Sequence, residues 1–143
     1  MPVLRQASTT LTIATRGSGF TDLTMKVRGW LDEIGAGDGL LTAFVRHTSA
    51  SLVIQENADA DVRRDLHDAF DRLAPRSHDY RHTIEGPDDM PAHIKAALTA
   101  TSIGIPVMRG EPVFGTWQAL YLMEHRDAPH RREIVLQFVG ELG

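Results

Sequence analysis

The chain has 143 residues, a formal charge of −4, a pI near 5.9 and no cysteine. That length suits a single domain, read as residues 1–143, with enough interior for an independent core. Net acidity and the absence of any run of Lys or Arg exclude broad attraction to nucleic acid or an anionic membrane. The missing cysteines exclude disulfides, thiolate metal sites and a cysteine nucleophile.

No stretch has the 18 or so consecutive apolar residues of a spanning helix. Residues 1–6 lack the basic-then-apolar pattern of a secretory leader. A cytoplasmic location is the expectation. Residues 3–14 are rich in β-formers, with Leu11 and Ile13 opposite Thr10, Thr12 and Ala14, and predict a strand. Gly17-Ser18-Gly19 breaks it. Thr21 or Asp22 can then cap a helix in which Leu23, Val27, Trp30, Leu31 and Ile34 repeat at helical spacing. Gly35, Gly37 and Gly39 predict its end and a turn. Residues 40–47 alternate as a strand, with Leu41, Ala43, Val45 and His47 on one face. Ser51–Gln55 forms a second apolar run. Asp59 caps the clearest helix, whose stripe is Val62, Leu66, Ala69, Phe70 and Leu73, and Pro75 stops it.

Residues 78–85 read as extended and polar, and Asp88 or Asp89 opens a third helix with Pro91 in its first turn. Three β-like runs follow, at 101–109, 113–125 and 131–139, with turns at Gly110 and Asp127-Ala128-Pro129. Strands that come in groups, without strict alternation with helices, predict an antiparallel α+β body with two or three packed helices.

The candidate chemistry lies among seven histidines. His47 ends a strand; alone it reads as a hydrogen-bonded histidine packed beneath a loop. His82 lies in a polar segment with Glu85, and His93 falls in the first turn of the third helix. Three imidazoles from separate elements, with a carboxylate nearby, suit a divalent transition metal with one open position. Glu124 ends an otherwise apolar strand face, the place of a paired structural charge, a ligand or a general base. His67, His125 and His130 read as surface residues. Arg126, Arg131 and Arg132 read as a solvated face that could hold a phosphate-sized anion if it lay near His47. Gly115-Thr116-Trp117-Gln118 reads equally as a simple bend or a substrate contact.

The chain resembles the YjbQ family, whose members are labelled secondary thiamine-phosphate synthases. The resemblance rests on His47-Thr48-Ser49-Ala50-Ser51, on Glu56-Asn57-Ala58-Asp59, and on the run from His82 through Gly86-Pro87-Asp88-Asp89-Met90-Pro91-Ala92 to His93. It continues through Ile105-Pro106, Gly115-Thr116-Trp117-Gln118 and Glu124. It implies a β-sandwich-like α+β subunit assembled as a homotrimer. It also implies His47, His82 and His93 as grouped metal ligands, accompanied by the acids Glu56, Glu85 and Glu124.

On this reading zinc is the first choice of metal, and magnesium suits a diphosphate substrate. Glu85 or Glu124 serves as base or ligand. Thr48, Ser49, Asn57 and Arg131 are the candidate substrate contacts. The expected function is a metal-dependent enzyme acting on a small phosphorylated heterocycle, with thiamine-phosphate synthesis as a weak activity. The alternative is a metal- or small-molecule-binding protein without turnover, and a carboxylate free of ion pairs is what would separate the two.

Overall fold

The computed structural model describes residues 3–143; Met1 and Pro2, part of the stretch read for a leader, lie outside the described residues. In chain order the elements are β1 (Arg5–Ala14), β2 (Gly19–Asp22), α1 (Thr24–Glu33), β3 (Ala36–Val45) and β4 (Ala50–Glu56). They continue with α2 (Ala60–Leu73), α3 (Asp89–Leu98), β5 (Ser102–Met108), β6 (Glu111–Pro112), β7 (Gln118–Glu124) and β8 (Arg131–Leu142). Two antiparallel sheets result, one of five strands in the order β1-β8-β3-β5-β6 and one of three in the order β2-β7-β4. This is the expected α+β class, an antiparallel β body with three helices.

The core lies between the inner faces of the two sheets. Period-2 alternation sends Leu41, Ala43 and Val45 of β3 inward with Ile134, Leu136 and Phe138 of β8, against Leu52 of β4 and Leu120 and Leu122 of β7. Helix α1 closes the core with Val27, Trp30 and Leu31. Its N-cap is Leu23, which offers no side-chain cap, and not Thr21 or Asp22 as the sequence suggested; Asp22 Oδ1 still accepts from the Thr24 amide at 2.8 Å from just outside the helix. No helix among the described residues is long and apolar enough to cross a membrane.

Several elements differ from their sequence reading. Helix α1 does end at Gly35, but Gly37 and Gly39 belong to β3 and not to a turn. The register of β3 against β8 shifts between Ala36 and Gly39, so the strand carries a bulge there. Gly39 and Gly140 face each other across that pairing, under the Phe138 ring. A Cβ on Gly39 would stand 2.6 Å from Phe138 Cζ, and one on Gly140 would stand 2.9 Å from the same atom. The glycines are there for close backbone approach.

Strand β2 was invisible because four residues carry too little periodicity. The run 113–125 pairs only from Gln118; before it, Gly115 donates to Gln118 Oε1 at 2.8 Å and makes a turn. Residues 78–85 contain no strand. The largest surprise is α2, capped by Asp59 as expected, whose apolar stripe contributes no buried residue. Leu66 and Phe70 of the stripe face Phe20, Val53 and Met123 on the outer face of the three-stranded sheet across a cavity, and Leu73 is exposed.

Gly140→Ala should lower stability by about 1–3 kcal/mol, since the new methyl meets backbone that cannot step aside. Urea unfolding of wild type and variant, compared at unchanged slope, checks this.

Candidate functional site

Helix α3 begins with Asp88 and Asp89, and neither caps it in the usual way. Asp89 is only 2% exposed. An isolated carboxylate at that depth would be costly, so its partners decide its position. Its Oδ1 lies 2.8 Å from Arg126 Nη1. Its Oδ2 lies 2.6 Å from His82 Nε2 and 2.9 Å from His93 Nε2. Burial works against ionisation of Asp89, but the His82 hydrogen bond and the His93 and Arg126 charges outweigh it. They hold the carboxyl at about 2.

His93 is one helical turn after Asp89, so the helix itself places both groups on one face. The other ring nitrogen of His93, Nδ1, donates to the Thr48 carbonyl at 2.8 Å. That bond leaves Nε2 as the nitrogen with a lone pair to offer. Only a proton or a metal ion between them makes its approach to a carboxylate oxygen favourable. Glu85 Oε2 stands 3.5 Å from His82 Nε2. One ligand atom each from His82, Glu85, Asp89 and His93 thus lie within 4.8 Å of one another. Beside them a cavity of about 290 Å³ is walled by Arg76, His78, Tyr80, His82 and Thr83.

His82 and His93 are therefore brought together, and His47 lies outside their group. His47 Nε2 accepts from the Glu133 amide at 2.8 Å, which commits its lone pair. Burial and then Arg132 push its pKa down, so the ring is neutral. This is the hydrogen-bonded histidine that its position alone allowed for.

Glu124 is buried and accepts four hydrogen bonds. Thr15 Oγ1 donates at 2.7 Å, Arg132 Nε at 2.8 Å, the Arg126 amide at 3.1 Å, and Arg132 Nη2 completes a bidentate pair. Burial pushes the Glu124 carboxyl up, but Arg132, Thr15 and the Arg126 amide outweigh it and hold it below the usual carboxylate range. With every oxygen engaged, Glu124 is a structural anchor between β7 and β8 and has no free lone pair for a substrate proton. The spare carboxylate of the cluster is Glu85, whose side chain is 61% exposed.

The four candidate substrate contacts do not gather. Thr48 is exposed beside His93, Ser49 is buried with Oγ accepting from Arg132 Nη2 at 3.0 Å, and Arg131 is exposed at the start of β8. Asn57 follows the far end of β4. Glu56, the remaining acid of the resemblance, is also at that end. Of the three arginines expected on a solvated face, Arg131 is exposed but two have structural work instead: Arg132 pairs with Glu124, and Arg126 donates to Asp88 Oδ2 at 3.0 Å and to the Glu85 carbonyl at 2.9 Å. His125, read as a surface residue, is buried. The sequence signal missed was the Asp88-Asp89 pair, of which one or the other was read only as the start of a helix, although two adjacent acids exceed what a helix start needs.

Glu124→Gln should cost about 3–5 kcal/mol, because Arg132 would remain buried without its charge partner. The carboxyl titrates lower in the folded protein than its ordinary 4.5, so its contribution is complete above that pH and fades as pH falls through the folded value. Stability measured from pH 7 to pH 3 should therefore fall less steeply in the variant than in wild type.

Known proteins match this chain over nearly its whole length. The family model for UPF0047 protein YjbQ-like matches residues 9–141. A UPF0047 protein of Synechocystis sp. is 49% identical over 139 residues, covering 96% of this chain and 95% of that protein. UPF0047 protein YjbQ of Escherichia coli O157:H7 is 40% identical over 133 residues, covering 92% and 96%. Among solved structures, a YjbQ/UPF0047 protein from Clostridium acetobutylicum, described as uncharacterized, superposes with TM-score 0.81 at 36% identity, covering 92% of this chain and 98% of that one. A protein of unknown function from Sulfolobus solfataricus has the same fold, with TM-score 0.89 at 22% identity over 97% of this chain and 100% of that one. The chain belongs to the YjbQ-like UPF0047 family.

Proposed function

We propose that this protein is a metal-dependent enzyme acting on a small phosphorylated heterocycle, with its centre at His82, Glu85, Asp89 and His93. The carrying observation is the convergence of two imidazole nitrogens and two carboxylate oxygens within 4.8 Å. Such a mixed nitrogen and oxygen set suits a divalent transition metal, zinc first, with magnesium an option for a diphosphate substrate. When bound, that ion would supply Lewis-acid stabilisation of charge on a phosphoryl or leaving-group oxygen.

The chain's own residues would act as follows. Thr48 O fixes the orientation of His93, the kind of outer contact that holds ligand histidines. Arg126 fixes Asp89 from the opposite oxygen. Glu85, exposed and without a cationic partner other than His82 among the described residues, serves as base or as a further ligand. The cavity beside His82 would admit the ring of the substrate.

Thiamine-phosphate synthesis would be slow here. Its nucleophile is a ring nitrogen with no proton to remove, so Glu85 would add little. Arg76 and Arg126 are already paired with Asp127 and with Asp88 and Asp89, leaving few cations for departing pyrophosphate. The second reading, binding without turnover, draws on the full engagement of Glu124.

The purified protein is expected to hold about one divalent metal ion per chain after equilibration with zinc. Asp89→Asn and His82→Ala should each lose most of that metal, while His47→Ala should retain it, as read by elemental analysis with circular dichroism as a control on folding. Loss in His47→Ala would restore the three-histidine set, and full retention in both other variants would defeat the centre. Single-turnover assays with the pyrimidine diphosphate and thiazole phosphate should show slow, metal-dependent synthesis; a metal-loaded protein inert toward phosphorylated metabolites favours the binding reading.

We also propose a homotrimer. Supporting it, Leu40, Phe44, Met108 and Val139 lie 45–62% exposed on the outer face of the five-stranded sheet, an apolar surface that isolated monomers seldom leave in water. Light scattering should give the mass of three chains, and Phe44→Glu should shift it toward one.

A further inference from the structure

Helix α2 and the outer face of the three-stranded sheet enclose a cleft that the metal centre does not use. Its inner chamber, about 400 Å³, is apolar and walled by Phe20, Val53, Leu66, Phe70, Leu98 and Met123. Its outer chamber, about 430 Å³, is walled by Phe20 together with Arg63, Arg64, His67 and one acid, Asp68, which stands 3.9 Å from the His67 ring. A small cavity of about 10 Å³, bounded by Phe20, His67, Phe70, Met123 and His125, shares walls with both. That volume holds about one water or one polar atom of a ligand.

Two observations give the cleft a chemical preference. Arg63 in the outer chamber has no carboxylate partner among the described residues; its Nη1 donates to the Glu56 carbonyl at 3.3 Å and to Tyr121 Oη at 3.1 Å, both neutral. Arg64, by contrast, is paired with Asp61. Second, His125 is 4% exposed, and Nε2 lies 2.8 Å from Ser51 Oγ, yet Nδ1 has no hydrogen-bond partner among the described residues. Every fully enclosed side-chain polar atom among those residues is satisfied, so Nδ1 keeps some accessible surface, and the ring forms one wall of the small cavity. A buried ring nitrogen left open toward a cavity is a position for a bound polar group.

We infer that this cleft binds a small amphiphilic acid, its alkyl or aryl body against Phe70 and Met123 and its anionic group at Arg63. The charge pattern selects this occupant: an uncharged apolar ligand would leave Arg63 unused, and a bare anion would leave the inner chamber unfilled. Pockets of this volume with an apolar lining and a few convergent polar groups are the usual form of a small-molecule site. The half-buried stripe of α2 follows, since a helix that roofs a ligand cleft cannot also bury its side chains in the core.

Octanoate is the probe, with octanol and inorganic phosphate as the tail-only and anion-only controls, followed by titration calorimetry. Octanoate should bind saturably at one site per chain with a negative heat-capacity change, more tightly than octanol, and phosphate should not compete at millimolar levels. Arg63→Gln should weaken octanoate about tenfold or more while leaving octanol unchanged. Leu66→Trp, which fills the inner chamber from an exposed helix, should abolish binding of both. The Met123 methyl resonance of the unmodified protein should shift with octanoate, a readout that needs no variant. Absence of saturable octanoate binding, an unmoved Met123 methyl, or octanoate affinity unchanged in Arg63→Gln would each overturn the proposal. So would covering of this face by a second copy of the chain.

Discussion

Glu124 lies between the two sheets, and a carboxylate at that depth is tolerated only if every lone pair is answered. Arg132 answers from β8 and Thr15 from the end of β1, which ties the open end of the sandwich together. The Arg126 amide answers from the turn after β7 and thereby sets where the Arg126 side chain starts. That side chain then reaches Asp88 and Asp89. Asp89, pinned through one oxygen, uses the other to orient His82 and His93. The candidate metal centre is thus the far end of a relay of buried charges that begins in the core.

The relay also explains the division of roles among the acids. Glu124 and Asp88 are consumed by arginines and backbone amides, and their ionisation serves the fold. Asp89 is shared between the fold and the cluster. Glu85 alone projects into solvent. A cluster built in this order holds Asp89 between buried partners and leaves Glu85 open to solvent.

Successive residues of β7 face opposite ways, and its end uses both directions. Glu124 turns inward to the core, while His125 turns outward beneath α2 and α3, where Ser51 and Thr99 carry its hydrogen-bond chain. Burial, first, and then the charge of Lys95 push His125 down to about 4, so it stays neutral where Glu124 stays charged. Helix α3 touches both environments, with His93 toward the cluster and Thr99 toward His125.

Periodicity in the sequence was enough to read β1, β4, β8, the first two helices and the inward faces of β3 and β7, and start signals gave the third helix, because these patterns are local consequences of backbone geometry. Composition likewise excluded thiolate chemistry outright. The eight-residue span from His82 through Glu85 to Asp89, and the helical step to His93, were legible as a polar segment leading into a helix. What required the tertiary structure was the partner of each charge. Nothing in a strand pattern reveals that Arg132 turns inward to Glu124, that the Glu133 amide takes the lone pair of His47, or that Asp89 serves the cluster as well as opening a helix. Those facts depend on which residues 8, 86 and 4–7 positions apart come within hydrogen-bond reach. The same is true of α2, whose stripe announced burial and found a cleft. Hydrophobic spacing specifies which face of a helix avoids water, and only the packing of the whole chain decides what that face meets.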